Sequence, residues 1–274
     1  MNKVYQVYQV SDSTGETLDR IFLSLKAQFS EFNCKTVHYS FTRTENQIDK
    51  VISKCNTEEN VIILYTIVDK KISKYLAEQC KKNNVPCFEV LGNLISDFSK
   101  LLNKKASNIP SGQHVLDEEY YKRIEAVQFT MSHDDGKIIS DLDKSDVILL
   151  GISRTSKTPT SIYLANKGFK TSNIPLINEH SIPKALKENP QMACVIGLNT
   201  EAERLVDIRK NRMNSLKETE NKSYTDLENI RKEVMNAKKT FQKYKWPSID
   251  VTRKSVEEVA ASIIKIHEIY KQND

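Results

Sequence analysis

An apolar run that leads into a loop of small and cationic residues most constrains the fold of this chain. Residues 147–150 (V-I-L-L) have the composition of a strand covered on both faces. Gly151 to Thr158 (G-I-S-R-T-S-K-T) then follows the pattern G-x-x-x-x-G-K-[ST], except that Ser156 occupies the place of the second glycine. This pattern aims backbone N–H groups at a diphosphate. The segment therefore predicts a buried strand, a phosphate loop and a helix.

The phosphate loop, Gly151–Thr158, supplies eight candidate nucleotide-binding residues: Gly151, Ile152, Ser153, Arg154, Thr155, Ser156, Lys157 and Thr158. The pattern places the Lys157 ammonium on the terminal phosphates and the Thr158 hydroxyl on Mg²⁺. Residues 161–166 are predicted as the first helix after the loop, with Gly168 as its C-terminal stop. The alternative is an ordinary strand-turn-helix junction whose serines and threonines only cap the helix.

Length and composition exclude several classes of protein. The chain has 274 residues, which is enough for one large or two ordinary domains. Its hydrophobic fraction of 39% and charged fraction of 28% predict a soluble globular protein. The sequence has neither an apolar run of membrane-spanning length nor a signal-peptide pattern, so we expect a cytoplasmic protein that does not bind membranes. The net charge of +5 suits a phosphorylated ligand and does not indicate nucleic-acid binding.

Strand-like and helical runs alternate along the chain, which predicts an α/β protein with mainly parallel sheets. In the first half, strands are expected at 4–10, 36–41, 61–68 and 87–91, and helices at 16–29, 45–55 and 69–82. This order is that of a Rossmann-like or flavodoxin-like domain. The polar stretch 104–112 is the best linker, so we predict an N-terminal α/β domain at 1–105 and a second domain at 106–274.

The second domain is predicted to be P-loop kinase-like, with long C-terminal helices. A bridging helix is expected at 116–131, strands at 174–177, 194–198 and 249–251, and helices at 201–217, 225–244 and 255–270. A phosphate loop of this type normally follows the first strand of its domain, so the nucleotide domain is the second one.

Two further segments could carry chemistry. Ser11–Thr17 (S-D-S-T-G-E-T) joins the first strand to the first helix and could bind an anion through backbone donors, or Thr14 could simply cap the helix. His133–Gly136 (H-D-D-G), which we call the carboxylate turn, contains Asp134 and Asp135, candidates for an Mg²⁺ ligand and a general base. The alternative is a tight Asp-Gly turn in which the histidine caps the preceding helix.

Other charged residues give weaker indications. Asp69 and Asp250 each follow a predicted strand and are alternative carboxylate candidates. The charged helices after residue 201 most often form a solvated face, although arginines there could fold over phosphates. The arginines concerned are Arg204, Arg209, Arg212 and Arg231.

Several motifs in order resemble the family of bacterial and plastid regulatory proteins of pyruvate, phosphate dikinase and phosphoenolpyruvate synthase. The strongest match runs from Gly151 to Asn166 and continues through Lys170–Leu176. The other matching motifs are Ser11–Thr17, Leu116-Asp117, Arg123–Ala126, His133–Gly136, Ile249–Thr252 and Ser255–Glu258. Because they lie across the whole length, they are more specific than a phosphate loop alone.

The resemblance implies a bifunctional serine/threonine protein kinase and phosphorylase. Such an enzyme phosphorylates a threonine beside the catalytic phosphohistidine of the dikinase with ADP as donor. It removes that phosphate with inorganic phosphate and releases pyrophosphate. The implied substrates and cofactors are ADP, inorganic phosphate and Mg²⁺, and the implied partner is pyruvate, phosphate dikinase or phosphoenolpyruvate synthase. The motifs do not separate these two targets, and a homodimer is our expectation for the assembly.

Carried over to this chain, the resemblance makes Gly151–Thr158 the ADP-binding loop. Lys157 would neutralise charge on the transferred phosphoryl group, and Thr158 would help to hold Mg²⁺. Asp134 or Asp135 would accept the proton of the target threonine. Ser11–Thr17 would help to bind the target or a phosphate. Two alternatives are a P-loop kinase of a small metabolite and a non-catalytic nucleotide switch.

Overall fold

The computed structural model describes residues 3–112, 118–216 and 222–273. The chain forms two compact units, Met1–Val115 and Leu116–Asp274, and each contains a parallel four-stranded sheet. Residues 106–112 belong to the first of these units. Within that unit, the Ser111 hydroxyl lies 2.8 Å from the Ser13 hydroxyl and accepts a hydrogen bond from Arg43.

The first unit alternates strands and helices along its whole length. Its elements are β1 (Tyr5–Ser11), α1 (Glu16–Lys26), β2 (Cys34–Tyr39), α2 (Glu45–Cys55), β3 (Val61–Thr66), α3 (Lys70–Lys82), β4 (Cys87–Glu89) and α4 (Gly92–Leu101). The strand order is β2-β1-β3-β4, and every neighbouring pair is parallel. The predicted α/β arrangement with parallel strands is thus confirmed, while α4 was not predicted.

The second unit has the same alternation and longer C-terminal helices. It contains α5 (Glu118–Ser132), β5 (Val147–Gly151), α6 (Lys157–Ala165), β6 (Thr171–Pro175), α7 (Lys184–Glu188), β7 (Cys194–Asn199), α8 (Ala202–Leu216), α9 (Lys222–Thr225), α10 (Leu227–Lys243), β8 (Ser248–Asp250) and α11 (Val256–Asn273). Its strand order is β6-β5-β7-β8, again all parallel. The helix predicted at 116–131 begins outside the described residues, because Leu116 and Asp117, which also form one of the matching motifs, are not among them. Lys217, the last residue of the helix predicted at 201–217, also lies outside the described residues.

The central strand β5 explains why this unit packs on both faces of its sheet. Ile148 and Leu150 join a core with residues of α8 and α10, whereas Val147 and Leu149 join a second core with residues of α6 and α11. Successive side chains of a strand point to opposite faces, so a strand covered on both sides must be apolar throughout. The apolar run before the phosphate loop therefore fixes that loop at the carboxyl end of a buried central strand.

The helix after the phosphate loop begins earlier than predicted. We expected it from residue 161, but α6 begins at Lys157. Pro159 occupies the third position of this helix, in the first turn, where a missing N–H costs no intrahelical hydrogen bond. In the described ranges, no helix is long and apolar enough to cross a membrane.

Candidate active site

The phosphate loop connects the carboxyl end of β5 to the N-terminus of α6. In open parallel sheets, ligands bind beyond the carboxyl ends of the strands. Gly151 ends β5 at a point of close backbone approach: a Cβ atom there would lie 2.6 Å from Thr155 Oγ1 and 2.8 Å from the carbonyl oxygen of Leu198. Only glycine fits at this position without displacement of its neighbours.

The departure from the motif at Ser156 does not prevent the loop from turning. Ser156 and Arg154 both have left-handed backbone conformations, with φ of 58° and 73°. Such a conformation costs an L-residue about 1 kcal/mol or more, which explains why the stricter motif has glycine at position 156. The buried Thr155 hydroxyl donates a 2.9 Å hydrogen bond to the carbonyl of Ile152 and so ties the loop to itself.

Lys157 lies inside the loop and not on the surface. Its side chain is almost fully buried, and its ammonium donates a 3.1 Å hydrogen bond to the Ile152 carbonyl. Burial lowers the pKa of Lys157 to about 8; Asp135 and Asp134 oppose this effect, and the charge of Arg154 adds to it. A phosphate at this position would supply the negative charge that favours the protonated form.

The carboxylate turn contacts the phosphate loop directly. The Thr158 hydroxyl, in the first turn of α6, donates a 2.9 Å hydrogen bond to Asp134 Oδ1. The amide of Asn173 on β6 donates to the same carboxylate oxygen at 2.5 Å and to the Thr158 hydroxyl oxygen at 2.9 Å. Three elements distant in sequence therefore meet at one small polar cluster.

The two adjacent carboxylates of this turn have different surroundings. Asp134 Oδ1 accepts the two hydrogen bonds described above, whereas the Asp135 carboxylate makes no hydrogen bond or ion pair with the described residues. Asp135 has a φ of 54°, and its side chain is exposed. It lines a cavity of about 580 Å³ that is also lined by Ser153, Arg154, Ser156, Lys157 and Thr158. Asp135 thus has a free carboxylate beside the phosphate loop.

His133 anchors the turn and does not line this cavity. Its Nδ1 lies 2.7 Å from the carbonyl of Phe129 in the last turn of α5, and its Nε2 lies 2.8 Å from Asp141. The hydrogen bond from His133 lowers the pKa of the Asp141 carboxyl. The interpretation of His133 as a cap of the preceding helix is therefore confirmed, and it coexists with a carboxylate turn that faces the loop.

The oxygen atoms at this cluster have the chemistry of a magnesium site. Mg²⁺ prefers oxygen ligands and is usually held by one or two carboxylates together with substrate phosphates. Thr158 offers a hydroxyl oxygen and Asp134 a carboxylate, while Asn173 Oδ1 is buried without a hydrogen-bond partner among the described residues. The described ranges contain no cluster of three or more His, Cys, Asp or Glu side chains, so substrate phosphates would have to complete such a site.

The prediction that Thr14 caps the first helix is wrong. The residue before α1 is Gly15, with φ of 91°, and no side-chain cap is formed there in the described structure. The hydroxyl of Ser11 instead accepts a hydrogen bond from the backbone of Ser13, and Asp12 accepts one from the backbone of Val68. The segment Ser11–Thr17 lines a cavity of about 200 Å³ within the first unit.

The alternative carboxylates have local structural partners. Asp69 caps α3 through hydrogen bonds from the backbone of Lys71 and Ile72. Asp250 accepts a hydrogen bond from the backbone N–H of Thr252. Neither aspartate lines the cavity at the phosphate loop. Asp135 is therefore better placed than either to act on a group bound there.

The arginines of the C-terminal helices divide into buried and exposed groups. Arg209 is 1% exposed and forms a 2.6 Å ion pair with Glu233, and the same amino group lies 3.5 Å from the carbonyl of Ser153. Arg231 pairs with acidic side chains on the surface, and Arg204 and Arg212 are exposed. Arg209 is thus buried against the backbone of the phosphate loop at Ser153 and is not a mobile clamp over phosphates.

Sequence reasoning missed Asn173 and the support given by Arg209. The available signal for Asn173 was its position as a polar residue directly before the apolar residue Ile174 in a strand. In the structure Asn173 is fully buried on β6. Buried amides need hydrogen-bond partners, so such a residue indicates a polar cluster. Its partners could not be deduced, because they come from two other elements.

The fold and the site define a class of protein: a parallel α/β protein with a phosphate-loop motif and a facing carboxylate turn. The family model of kinase/pyrophosphorylase matches residues 7–264. The chain therefore belongs to the kinase/pyrophosphorylase family and is an enzyme of phosphoryl transfer.

Three relatives over nearly the full length are each named as a putative pyruvate, phosphate dikinase regulatory protein. The protein from Pelagibacter ubique (strain HTCC1062) is 65% identical over 273 residues, covering 100% of both chains. That from Chelativorans sp. (strain BNC1) is 40% identical over 262 residues, covering 96% of each. That from Bartonella bacilliformis (strain ATCC 35685 / KC583 / Herrer 020/F12,63) is 41% identical over 262 residues, covering 96% of this chain and 93% of its own.

Proposed function

We propose that this enzyme regulates pyruvate, phosphate dikinase by phosphorylating a threonine of it with ADP and by removing that phosphate with inorganic phosphate. The observation that carries the proposal is the shared cavity, in which the free carboxylate of Asp135 faces the same space as Lys157 and the phosphate loop. The names of the relatives support the dikinase as the target.

In the phosphorylation direction, the loop holds the diphosphate of ADP through its backbone N–H groups. Lys157 neutralises charge on the transferred phosphoryl group. Asp135 accepts the proton of the threonine hydroxyl as its oxygen attacks the β-phosphorus, and AMP leaves. Thr158 and Asp134 would hold Mg²⁺, which when bound offsets the negative charge of the phosphates.

In the dephosphorylation direction, an oxygen of inorganic phosphate attacks the phosphorus atom of phosphothreonine, and the bond between that phosphorus and the threonine oxygen breaks. Asp135, now protonated, returns its proton to the leaving threonine oxygen. The product is pyrophosphate, which is a diphosphate like the reacting part of ADP. One loop that binds a diphosphate therefore suits both directions.

The remaining features of the proposal rest on the sequence. The resemblance supports inorganic phosphate as a substrate, and it supports threonine as the acceptor. Cytoplasmic residence and a homodimer stay predictions.

The proposal is tested with purified dikinase, ADP, Mg²⁺ and phosphoenolpyruvate, followed by mass spectrometry of the dikinase. We expect one phosphothreonine that disappears when phosphate is added, with pyrophosphate released. A parallel incubation replaces the dikinase by phosphoenolpyruvate synthase. Modification of the synthase alone would move the activity to that target, and modification of neither protein would reject the proposal.

A further inference from the structure

Asn173 holds the carboxylate turn at two points. Its backbone N–H donates a 3.1 Å hydrogen bond to the carbonyl of His133, and its side-chain amide donates to Asp134. The neighbouring strand β5 pairs with β6 in register, Leu149 opposite Asn173. A single residue in a rigid strand therefore positions two successive residues of the turn.

The same amide also holds the phosphate loop. Asn173 Nδ2 lies 2.9 Å from the hydroxyl oxygen of Thr158, which in turn donates to Asp134. The three side chains form a closed triangle of hydrogen bonds, and Asn173 is fully buried within it. Because both donors of the cluster point at Asp134 Oδ1, that carboxylate is held in one orientation while Asp135 stays free.

We propose that Asn173 is a positioning residue, which orients Asp134 and Thr158 as a pair of oxygen ligands for a divalent cation on the bound diphosphate. This inference rests on one part of the proposed function, the binding of ADP by the phosphate loop. It does not depend on which protein is phosphorylated. Its own signature is the cation dependence of nucleotide binding. Residues that orient metal ligands typically contribute about 10- to 100-fold in metal affinity or activity.

The test compares Asn173→Ala and the isosteric Asn173→Asp with wild type. The matched control is Ser172→Ala, at the residue before Asn173 on β6. This variant removes a buried 2.8 Å hydrogen bond between the hydroxyls of Ser172 and Ser145 and leaves the triangle intact. ADP binding is measured by calorimetry with and without Mg²⁺. We expect both Asn173 variants to lose about 10-fold or more of the Mg²⁺-dependent gain in affinity, with unchanged affinity in its absence. Ser172→Ala should behave as wild type.

A second measurement uses the wild-type protein, so it does not depend on how well the variants fold. The side-chain amide protons of Asn173 should be protected from exchange in ¹⁵N NMR spectra, and their signals should move when Mg²⁺ is added to the ADP-bound protein. Unprotected amide protons, or signals that Mg²⁺ leaves in place, would overturn the inference.

The binding results separate this inference from the proposed function. Equal losses of ADP affinity with and without Mg²⁺ in the Asn173 variants would indicate a merely structural role and overturn the inference. If the Asn173 variants lose the Mg²⁺-dependent gain in ADP affinity while wild-type protein modifies neither the dikinase nor the synthase, the proposed function is rejected and the role of Asn173 is supported.

Discussion

The Thr158 hydroxyl donates a hydrogen bond to the Asp134 carboxylate across 2.9 Å, although 24 positions separate the two residues in sequence. This bond joins the end of the phosphate loop to the carboxylate turn. The next residue along the turn, Asp135, has a free carboxylate on the cavity that Lys157 also lines. The division between a held and a free carboxylate is the basis of the predictions that follow.

Replacement of Lys157 by alanine should strongly reduce both activities. Loss of charge stabilisation at the transferred phosphoryl group is expected to lower the rate by about 10²- to 10³-fold. The fold should persist, because the ammonium donates only to a loop carbonyl. Initial rates measured beside Lys167→Ala, an exposed lysine just beyond the far end of α6, provide the comparison. Near-normal turnover of Lys157→Ala would remove the phosphate loop from the mechanism.

The two aspartates should respond differently to replacement by asparagine. Asp135→Asn is expected to lower kcat in the kinase direction by about 10²-fold or more, because it removes the general base. It should retain ADP binding with its Mg²⁺ dependence. Asp134→Asn should instead weaken the Mg²⁺-dependent binding of ADP. Kinetics and calorimetry on the two variants check this assignment, and the reverse pattern would exchange the roles of the two residues.

Gly151→Val should damage phosphorylation and dephosphorylation together. Any Cβ at this position would meet the Leu198 carbonyl at 2.8 Å and so displace the start of the loop. Ser156→Gly is the matched control, since glycine accepts the left-handed backbone at that position and should retain both activities. Both reactions are assayed on the same preparations. If Gly151→Val lost only one activity, the two reactions would require separate sites.

The buried Lys157 should make stability depend on pH in the alkaline range. Its pKa is about 8 in the folded protein and 10.5 as the ordinary value. Between these values the unfolded chain binds more protons, so the free energy of unfolding should rise as the pH increases from about 8 to about 10.5. Urea unfolding of wild type and Lys157→Met across this range measures the effect. A rise of equal size in Lys157→Met would assign it to other groups.

The sequence predicted the elements whose signals are local. Helix α2 has the predicted bounds, Glu45–Cys55, because Thr44 and Gln47 form a capping box at its start. Strand β5 followed from its continuous apolar run. Helix α4 was missed although its apolar residues Leu94, Ile95, Phe98 and Leu101 recur at helical spacing, and none of its residues is buried. The helix α7 is only five residues long and has too little periodicity to detect.

The candidate site was predictable only in part for a related reason. The phosphate loop and the carboxylate turn are contiguous motifs, so their residue types are recognisable in the sequence. The triangle that joins them includes Asn173, whose partners lie 15 and 39 positions away in sequence. Contacts between strands and loops depend on strand order and register, which hydrophobic patterns do not specify. The choice between Asp134 and Asp135 therefore depends on the folded geometry.

The most direct test of the central claim follows the β-phosphoryl group of ADP. Wild-type enzyme, dikinase, phosphoenolpyruvate and Mg²⁺ are incubated with ADP labelled at the β-phosphorus, and the label on dikinase threonine and the AMP formed are both quantified. We predict one AMP for each labelled threonine with wild type, and at least about 10²-fold slower labelling with Asp135→Asn. Absence of label on the dikinase, or equal labelling by the two enzymes, would contradict the account.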